Sequence, residues 1–408
     1  MRADIPSIPP HSDSETLQLL LDHVTPLPAV AVTLDQALGR VLRRDAHCDS
    51  DQPAFDRSGM DGYAIAPHPS ESTETAYVLA GEVLTGQTPT FTLQPGQCAR
   101  VFTGAMIPPG TVRVVKQEDA EIHGVTVRES HPSPNAPTHI RYRGEDCKAG
   151  DIMIPAGQVL RPSHVSILAS IGITDPLVAR KPRVAHIVSG SEIVHPLKTP
   201  GPGQIRDSNT HLLAALCAEI GASVRHRAHA IDDEAQTLDL VASLPDRGYD
   251  ILLFSGGSGA GSYDFCRAAF AKLGFTLRLE GVALRPGKPL LFATRGSQLA
   301  FGLPGNPLSH FVLFQLFVRP VIRALQKAAP ENREMTGLFA VDATDVHSPL
   351  KTYRPAYWYS GETGPLIEPL PWNGSGHLAS LSRANALLII PPHTESLKRG
   401  DRVTWLAI

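Results

Sequence analysis

The sequence predicts a multidomain chain of α/β plus β class, in which a doubly wound parallel sheet is accompanied by β-rich modules. Three observations predict it. Strand-like and helix-like segments alternate after residue 181, the stretch 52–143 breaks into short apolar runs, and 408 residues are enough for several cores. Hydrophobic residues make up 42% and charged residues 19%, which describes a soluble globular protein. The net charge of −3 offers no basic surface for nucleic acid or an anionic membrane.

The elements follow in order. "SDSETLQLLLDHV" reads as a helix, capped at Ser12, with Leu17, Leu20 and Leu21 on its apolar face. "TLDQALGRVLRR" reads as a second, with Thr33 and Gln36 at capping-box spacing. From residue 52 to about 143, runs such as "AYVLAGEVL" and "VRVVKQE" lie between Pro, Gly and Thr clusters. They form a β-rich module whose exposed loops are "PHPSESTE" and "HPSPNAPTH". "RPSHVSILASIG" returns to helix. Strands are then expected at 183–188, 223–230 and 251–255, and helices at 208–220, 234–243 and 264–273. "PLSHFVLFQLFVRPVIRAL" closes this unit, "KAAPENREM" is a linker, and the remainder forms short strands.

Cys48, Cys98, Cys147, Cys217 and Cys266 form no C-x-x-C pair, so neither a disulfide framework nor a zinc site is expected. The N-terminus lacks a signal-peptide core, and "HFVLFQLFVRPVI" is cut by Arg319 and Pro320, too short to span a bilayer. A cytoplasmic protein with no membrane association is expected.

In a parallel α/β sheet, ligands bind where strand ends meet helix N-termini. Three loops fall there: "VSGSEIV" with Ser189 and Glu192, "AIDDE" with Asp232, and "SGGSGAGSYD" with Gly256, Gly257, Gly259, Gly261 and Asp264. Glycine N–H groups beside a helix N-terminus suit phosphate, and converging carboxylates suit Mg²⁺. The plainer readings are a helix cap for Asp232, a solvated Glu192 and a tight glycine turn. The G-G-x-G-x-G spacing is not the dinucleotide fingerprint, and no P-loop Lys-Ser/Thr follows. "LRPGKP" brings Arg285 and Lys288 into the same unit, and "GLPGNPLS" places Pro304, Pro307 and Ser309 at a rigid helix entrance. Asp61-Gly62 is by default a hairpin turn, although Asp56, Arg57, Ser58 and Asp61 crowd an apolar neighbourhood.

Taken together, "FDRSGMDGYA", "TGAMIPPG", "RGED", "SGSE", "GQIRDSN", "SGGSGAGSYD", "RPGKP" and "GLPGNP" resemble, in this order, the molybdopterin molybdenumtransferases: the MoeA proteins and the C-terminal domain of gephyrin. The resemblance implies an elongated homodimer. It places a connecting and dimerisation domain at 12–51 with 144–180, and a β-rich domain at 52–143. A molybdopterin-binding α/β domain falls at 181–327 and a C-terminal β-barrel-like domain at 330–408. It also implies a Mg²⁺-dependent reaction of adenylylated molybdopterin with molybdate that releases AMP. Glu192, Asp232 and Asp264 would hold the metal and join Asp61 as catalytic groups. Ser189, Gly256, Gly257, Gly259, Gly261, Arg285, Lys288, Pro304, Pro307, Ser309 and Ser375 would bind substrate. Asp61 and Thr103 would enter from the other protomer, and Asp146 from the connecting segment. The implied partners include molybdopterin adenylyltransferase and molybdoenzyme chaperones.

The chain departs from the family pattern at Ser191 and Ser262, where acids are common, and at Tyr359, where an arginine is common. These departures motivate an alternative: a divergent paralogue that binds molybdopterin or molybdate as a carrier, sensor or scaffold with little turnover. The sister adenylylation step is a third reading.

Overall fold

The computed structural model describes residues 11–69, 76–133, 135–244, 248–256, 262–362 and 364–408, without the side chains of residues 262–264. Two compact units emerge. One comprises Met1–Arg44, Ala156–Pro162 and Asp175–Ile408, the other Asp45–Pro155 and Ser163–Thr174.

The first unit is built on a six-stranded sheet in the order Ser223–Ala230, Arg183–Ser189, Ile251–Gly256, Gln298–Leu303, Leu291–Arg295 and Thr276–Glu280. The first four strands are parallel and the last two pair antiparallel, so the expected all-parallel sheet carries a two-stranded antiparallel edge. The Arg295–Gln298 turn is too short for a helical crossover, which dictates the reversal. Both faces are covered, as the unbroken apolar run at 251–254 requires. Ile251 and Leu253 pack with Leu20, Leu213, Leu216, Val312 and Phe317 from one layer of helices. Leu252 and Phe254 pack on the other face with Val241, Ala269 and Phe270.

Helix Asp13–Asp22 begins with a complete capping box. The Ser12 N–H donates to Glu15 Oε2 at 2.9 Å, and the Glu15 N–H donates to Ser12 Oγ at 3.3 Å. The second expected helix shrinks to a 3₁₀ turn, Leu34–Gln36, with no side-chain cap. Tertiary pairing overrides its helical pattern, because Val41 bridges Val159 and Leu42 bridges Val178. Residues Pro307–Leu325, by contrast, form the closing helix expected, one run of 19 residues, longer than the apolar segment read as too short to span a bilayer. The run widens into a π turn at Phe314–Val318, just ahead of Pro320, where a regular turn would set the proline ring against the Leu316 carbonyl. It is long and apolar enough to cross a membrane, yet 72% of its most apolar stretch is buried in the fold.

In the C-terminal region, Lys351–Gly361, Gly364–Pro369, Glu334–Phe339, Arg402–Ala407 and Ala386–Ile390 pair in that order, and the last returns to the first. This is a closed five-stranded barrel around Phe339, Ile367 and Trp405. The expected linker is a packed corner, where Glu331 pairs with Arg319 and Arg323.

The second unit holds a six-stranded sheet in the order Arg113–Lys116, Gly62–Ile65, Gln97–Val101, Ala76–Val83, Thr126–Glu129 and Ala120–His123. Asp61-Gly62 is not a hairpin turn. Gly62 opens a strand flanked on both sides, and a Cβ there would lie 1.9 Å from the Val115 carbonyl oxygen. Gly62→Ala should therefore destabilise this unit by about 2–4 kcal/mol, read as a lower urea midpoint. A wild-type midpoint would refute the close approach.

Candidate active site at the strand ends

Parallel register sets Ser189 beside Ala230 on one side and Gly256 on the other, and Ser255 beside Leu303. Four strands thus finish level, and the loops after them share one edge. Ser189 is buried at the end of its strand. Gly190 and Gly256 have φ of 146° and 145°, which side-chain-bearing residues rarely adopt. A Cβ on Gly256 would lie 2.3 Å from the Ser189 carbonyl oxygen, and one on Gly190 would lie 2.5 Å from the Glu192 carboxylate. Neighbouring strand ends therefore present bare backbone.

The carboxylates are arranged around that backbone. Glu192 folds back over Gly190. Ser191 and Asp232 clasp each other: the Ser191 N–H donates to Asp232 Oδ2 at 3.0 Å, and the Asp232 N–H donates to Ser191 Oγ at 3.0 Å. His229 Nε2 donates to the Gly190 carbonyl at 2.8 Å. The expected helix cap at Asp232 is corrected, because Asp233 Oδ1 accepts the Gln236 N–H and caps Glu234–Ala242. Asp232 is thus held by the strand-end loop instead. Asp264 lies in helix Ser262–Lys272, but its side chain, like Gly257, Gly259 and Gly261, is outside the described residues. Among the described residues no three His, Cys, Asp or Glu side chains gather as a metal site.

The "GLPGNP" loop follows strand Gln298–Leu303 and is fastened from two sides. Asn209 Nδ2 donates to the Gly305 carbonyl at 2.7 Å. Asn306 Nδ2 donates to Ser375 Oγ at 2.9 Å, and the Leu308 N–H donates to the Ser375 carbonyl at 3.1 Å. Pro304 is buried, Pro307 opens the helix, and Ser309 is buried in its first turn. Arg285 stacks its guanidinium 4.7 Å from the centre of the Trp372 ring, and both it and Lys288 are exposed. The positive charge at Arg285 is therefore held in place.

Beneath the strand ends lies a buried polar layer. His186 Nε2 sits 2.8 Å from Ser255 Oγ, and burial, with His310 nearby, pushes His186 down to about 3. Burial also pushes His310 down to about 4, against the opposing pull of the Pro304 carbonyl and Asp207. Among the described residues, His186 Nδ1, both His310 ring nitrogens, Asn209 Oδ1 and Thr210 Oγ1 complete no hydrogen bond. Sequence reasoning missed Asn209, Trp372, His186 and His310. The "GQIRDSN" motif held a signal for Asn209; the others act across sequence distances that spacing does not reveal.

In the second unit, the Thr103 N–H and Oγ1–H both donate to Asp61 Oδ1 at 2.7 Å. These bonds, backbone first, hold the Asp61 carboxyl below the usual range, so it is ionised. Asp146 pairs with Arg141.

Family profiles match along the chain: the MoeA N-terminal region (domain I and II) at residues 12–172, a probable molybdopterin binding domain at 185–324, and the MoeA C-terminal region (domain IV) at 340–408. A molybdopterin molybdenumtransferase from a Nostoc species is 34% identical over 394 residues, covering 92% of this chain and 88% of the relative. The chain belongs to the molybdopterin molybdenumtransferase family. Molybdopterin molybdenumtransferase 2 of Mycobacterium tuberculosis is 32% identical, covering 92% of this chain and 94% of that one. The crystal structure of the molybdopterin biosynthesis moeA protein from Pyrococcus horikoshii OT3 aligns with a TM-score of 0.82 at 27% identity, covering 98% of this chain and 100% of that chain. The chain is accordingly an enzyme of molybdenum cofactor biosynthesis.

The buried histidines of this transferase give it a predictable acid limit. Their folded values lie below 6.5, so the unfolded chain binds more protons as pH falls below 6.5. Stability is complete above about pH 6.5 and is lost as the pH drops toward 4, by on the order of 2 kcal/mol per ring at pH 5. His310→Phe should narrow the difference between urea midpoints at pH 7 and pH 5. An equal difference in variant and wild type would refute a neutral buried ring.

Proposed function

We propose that this transferase inserts molybdate into adenylylated molybdopterin, releases AMP and works as a Mg²⁺-dependent homodimer. The observation that supports it most is the pair of bare strand ends at Gly190 and Gly256, bordered by Glu192 and Asp232. Backbone freed of side chains admits a phosphate closely, and carboxylates beside it suit a hard cation.

The donor set fits Mg²⁺. Among the described residues, no hydrogen-bond donor meets the Glu192 carboxylate, and Asp232 keeps Oδ1 open while Oδ2 takes the Ser191 N–H. Mg²⁺ is usually held by one or two carboxylates and completes its shell with water and substrate phosphates, so these two residues would suffice. When bound, it would neutralise charge on the pyrophosphate link. Arg285 and Lys288 supply the cationic counterpart for molybdate, a dianion. Asp61, ionised and fixed by Thr103, and Asp146 are assigned to the same reaction. A paralogue that binds without turnover is not favoured, since relatives matching 92% of the chain carry the transferase name.

The test is AMP release from adenylylated molybdopterin with and without molybdate. Release should require molybdate, cease on chelation and return with Mg²⁺. Glu192→Gln and Asp61→Asn should each lower turnover about 10²-fold. Turnover unchanged in both variants would overturn the site assignment.

A further inference from the structure

Cys48 and Cys147 stand 99 positions apart in the chain, yet their Sγ atoms lie 3.3 Å apart. Backbone pairing holds both in place. The Cys48 N–H donates to the Asp151 carbonyl and the Gly150 N–H to the Cys48 carbonyl, at 2.9 and 2.8 Å. The Gln52 N–H donates to the Cys147 carbonyl at 2.8 Å, and the Cys147 N–H returns to Gln52 at 3.2 Å. Cys48 is 2% exposed and its thiol donates to the Ser50 carbonyl at 2.9 Å, whereas Cys147 is partly open to solvent. One accessible thiol thus backs onto one sheltered thiol at van der Waals distance. Cys98, Cys217 and Cys266 are all buried free thiols.

We propose that Cys48 and Cys147 form a thiol–disulfide exchange site, and that closing it restrains the loop carrying Asp146. The Cys147 thiolate attacks one sulfur of a small external disulfide and expels the first thiolate, which takes up the Cys147 proton. Cys48 then attacks the Cys147 sulfur of the mixed disulfide, expelling the second thiolate and giving it the Cys48 proton. Two protein thiols are oxidised, and one external disulfide is reduced to two thiols. The Sγ atoms need to close by only a little over 1 Å to reach bonding distance. The contact with Cys48, then burial, then Asp151 and Asp146 push the Cys147 thiol up to about 11. At neutral pH the pair therefore rests as two thiols until an oxidant of this class arrives.

The place of the pair matters. Cys147 follows Asp146 directly, and the loop around them is already fastened by Asp51, which accepts from Arg143 Nε at 2.7 Å and from the Ala149 N–H at 3.1 Å. A covalent bond would remove the remaining freedom of this loop. Its effect on turnover rests on the proposed function; the bond itself does not.

Full-length protein should be treated with oxidised glutathione, then read by intact mass and peptide mapping. The expected product is lighter by two hydrogens, with Cys48 and Cys147 in one cross-linked peptide pair, and dithiothreitol should reverse it. Cys48→Ser should instead trap a glutathione adduct on Cys147. Closing a 99-position loop should raise the unfolding midpoint by roughly 5–10 °C. AMP release should fall about 10-fold on oxidation and recover on reduction. No cross-link, or glutathione retained on wild-type Cys147, would overturn the site. A cross-link with unchanged turnover would overturn the restraint on the loop. Absence of AMP release even in the reduced protein would count against the proposed function and leave the mass result standing as the test of the bond.

Discussion

The level ending of four parallel strands is the constraint on which the rest of the enzyme depends. Parallel pairing fixes Ser189 against Ala230 and Gly256, and Ser255 against Leu303, so no strand can slip without turning its core residues to the wrong face. That register is held by two apolar layers. Ile251 and Leu253 enter one and Leu252 and Phe254 the other, each worth about 1.5–3 kcal/mol when fully buried. The core therefore does more than stabilise. It aligns the loops that carry Glu192, Asp232 and "GLPGNP" on a common edge.

The same edge shows where stability has been given up. A glycine at 190 and at 256 costs backbone entropy, and both adopt conformations closed to other residues. Below them, His186, His310, Asn209 and Thr210 keep polar atoms without hydrogen-bond partners among the described residues. Buried polar atoms of this kind each carry a desolvation cost of about 1–3 kcal/mol. Others of the kind lie elsewhere, at Thr16, Arg141, Arg267, Arg354 and Trp405, so these atoms add to the cost of the strand-end layer without marking it as the site. Cavities of about 580 and 560 Å³ do exist elsewhere in this unit, around Arg319, Arg323 and Arg333. Glu331 and Glu219 already occupy several of those guanidinium donors. Volume alone is thus a poor guide to the site here.

Much of this was legible in the sequence, and the reasons are physical. Helix and strand periods are local, so strand 223–230 and the helix cap at Ser12 could be read directly from the residues. The strand-end rule then located Ser189, Glu192 and Asp232 without coordinates. What local pattern could not show were interactions closed by the fold. The Arg285–Trp372 stack, the Asn306–Ser375 bond and the Cys48–Cys147 contact join residues far apart in sequence. Local signals also misled where a tertiary partner outbid them. Thr33 and Gln36 have the spacing of a capping box, but the bridges at Val41 and Leu42 draw the chain out of helix. Asp61-Gly62 has turn composition, but the glycine is there because a strand passes too close for any side chain.

Ser191 shows how a departure from a family pattern can be read physically. The family resemblance puts an acid at this position, which here would set a second carboxylate against Asp232. With no cation between them, the two would repel at hydrogen-bonding distance. Serine turns that repulsion into a pair of 3.0 Å bonds, one through its N–H and one through its Oγ. The exchange removes one negative charge from an edge that the proposed reaction would load with anionic substrates. It also fixes Asp232 before any ligand arrives, so less ordering remains to be done on binding. One fewer carboxylate still leaves Glu192 and Asp232 among the described residues at this edge, and a cation bridging to phosphates usually takes one or two. On the proposed reading, the substitution leaves enough carboxylate for the cation and is compatible with turnover.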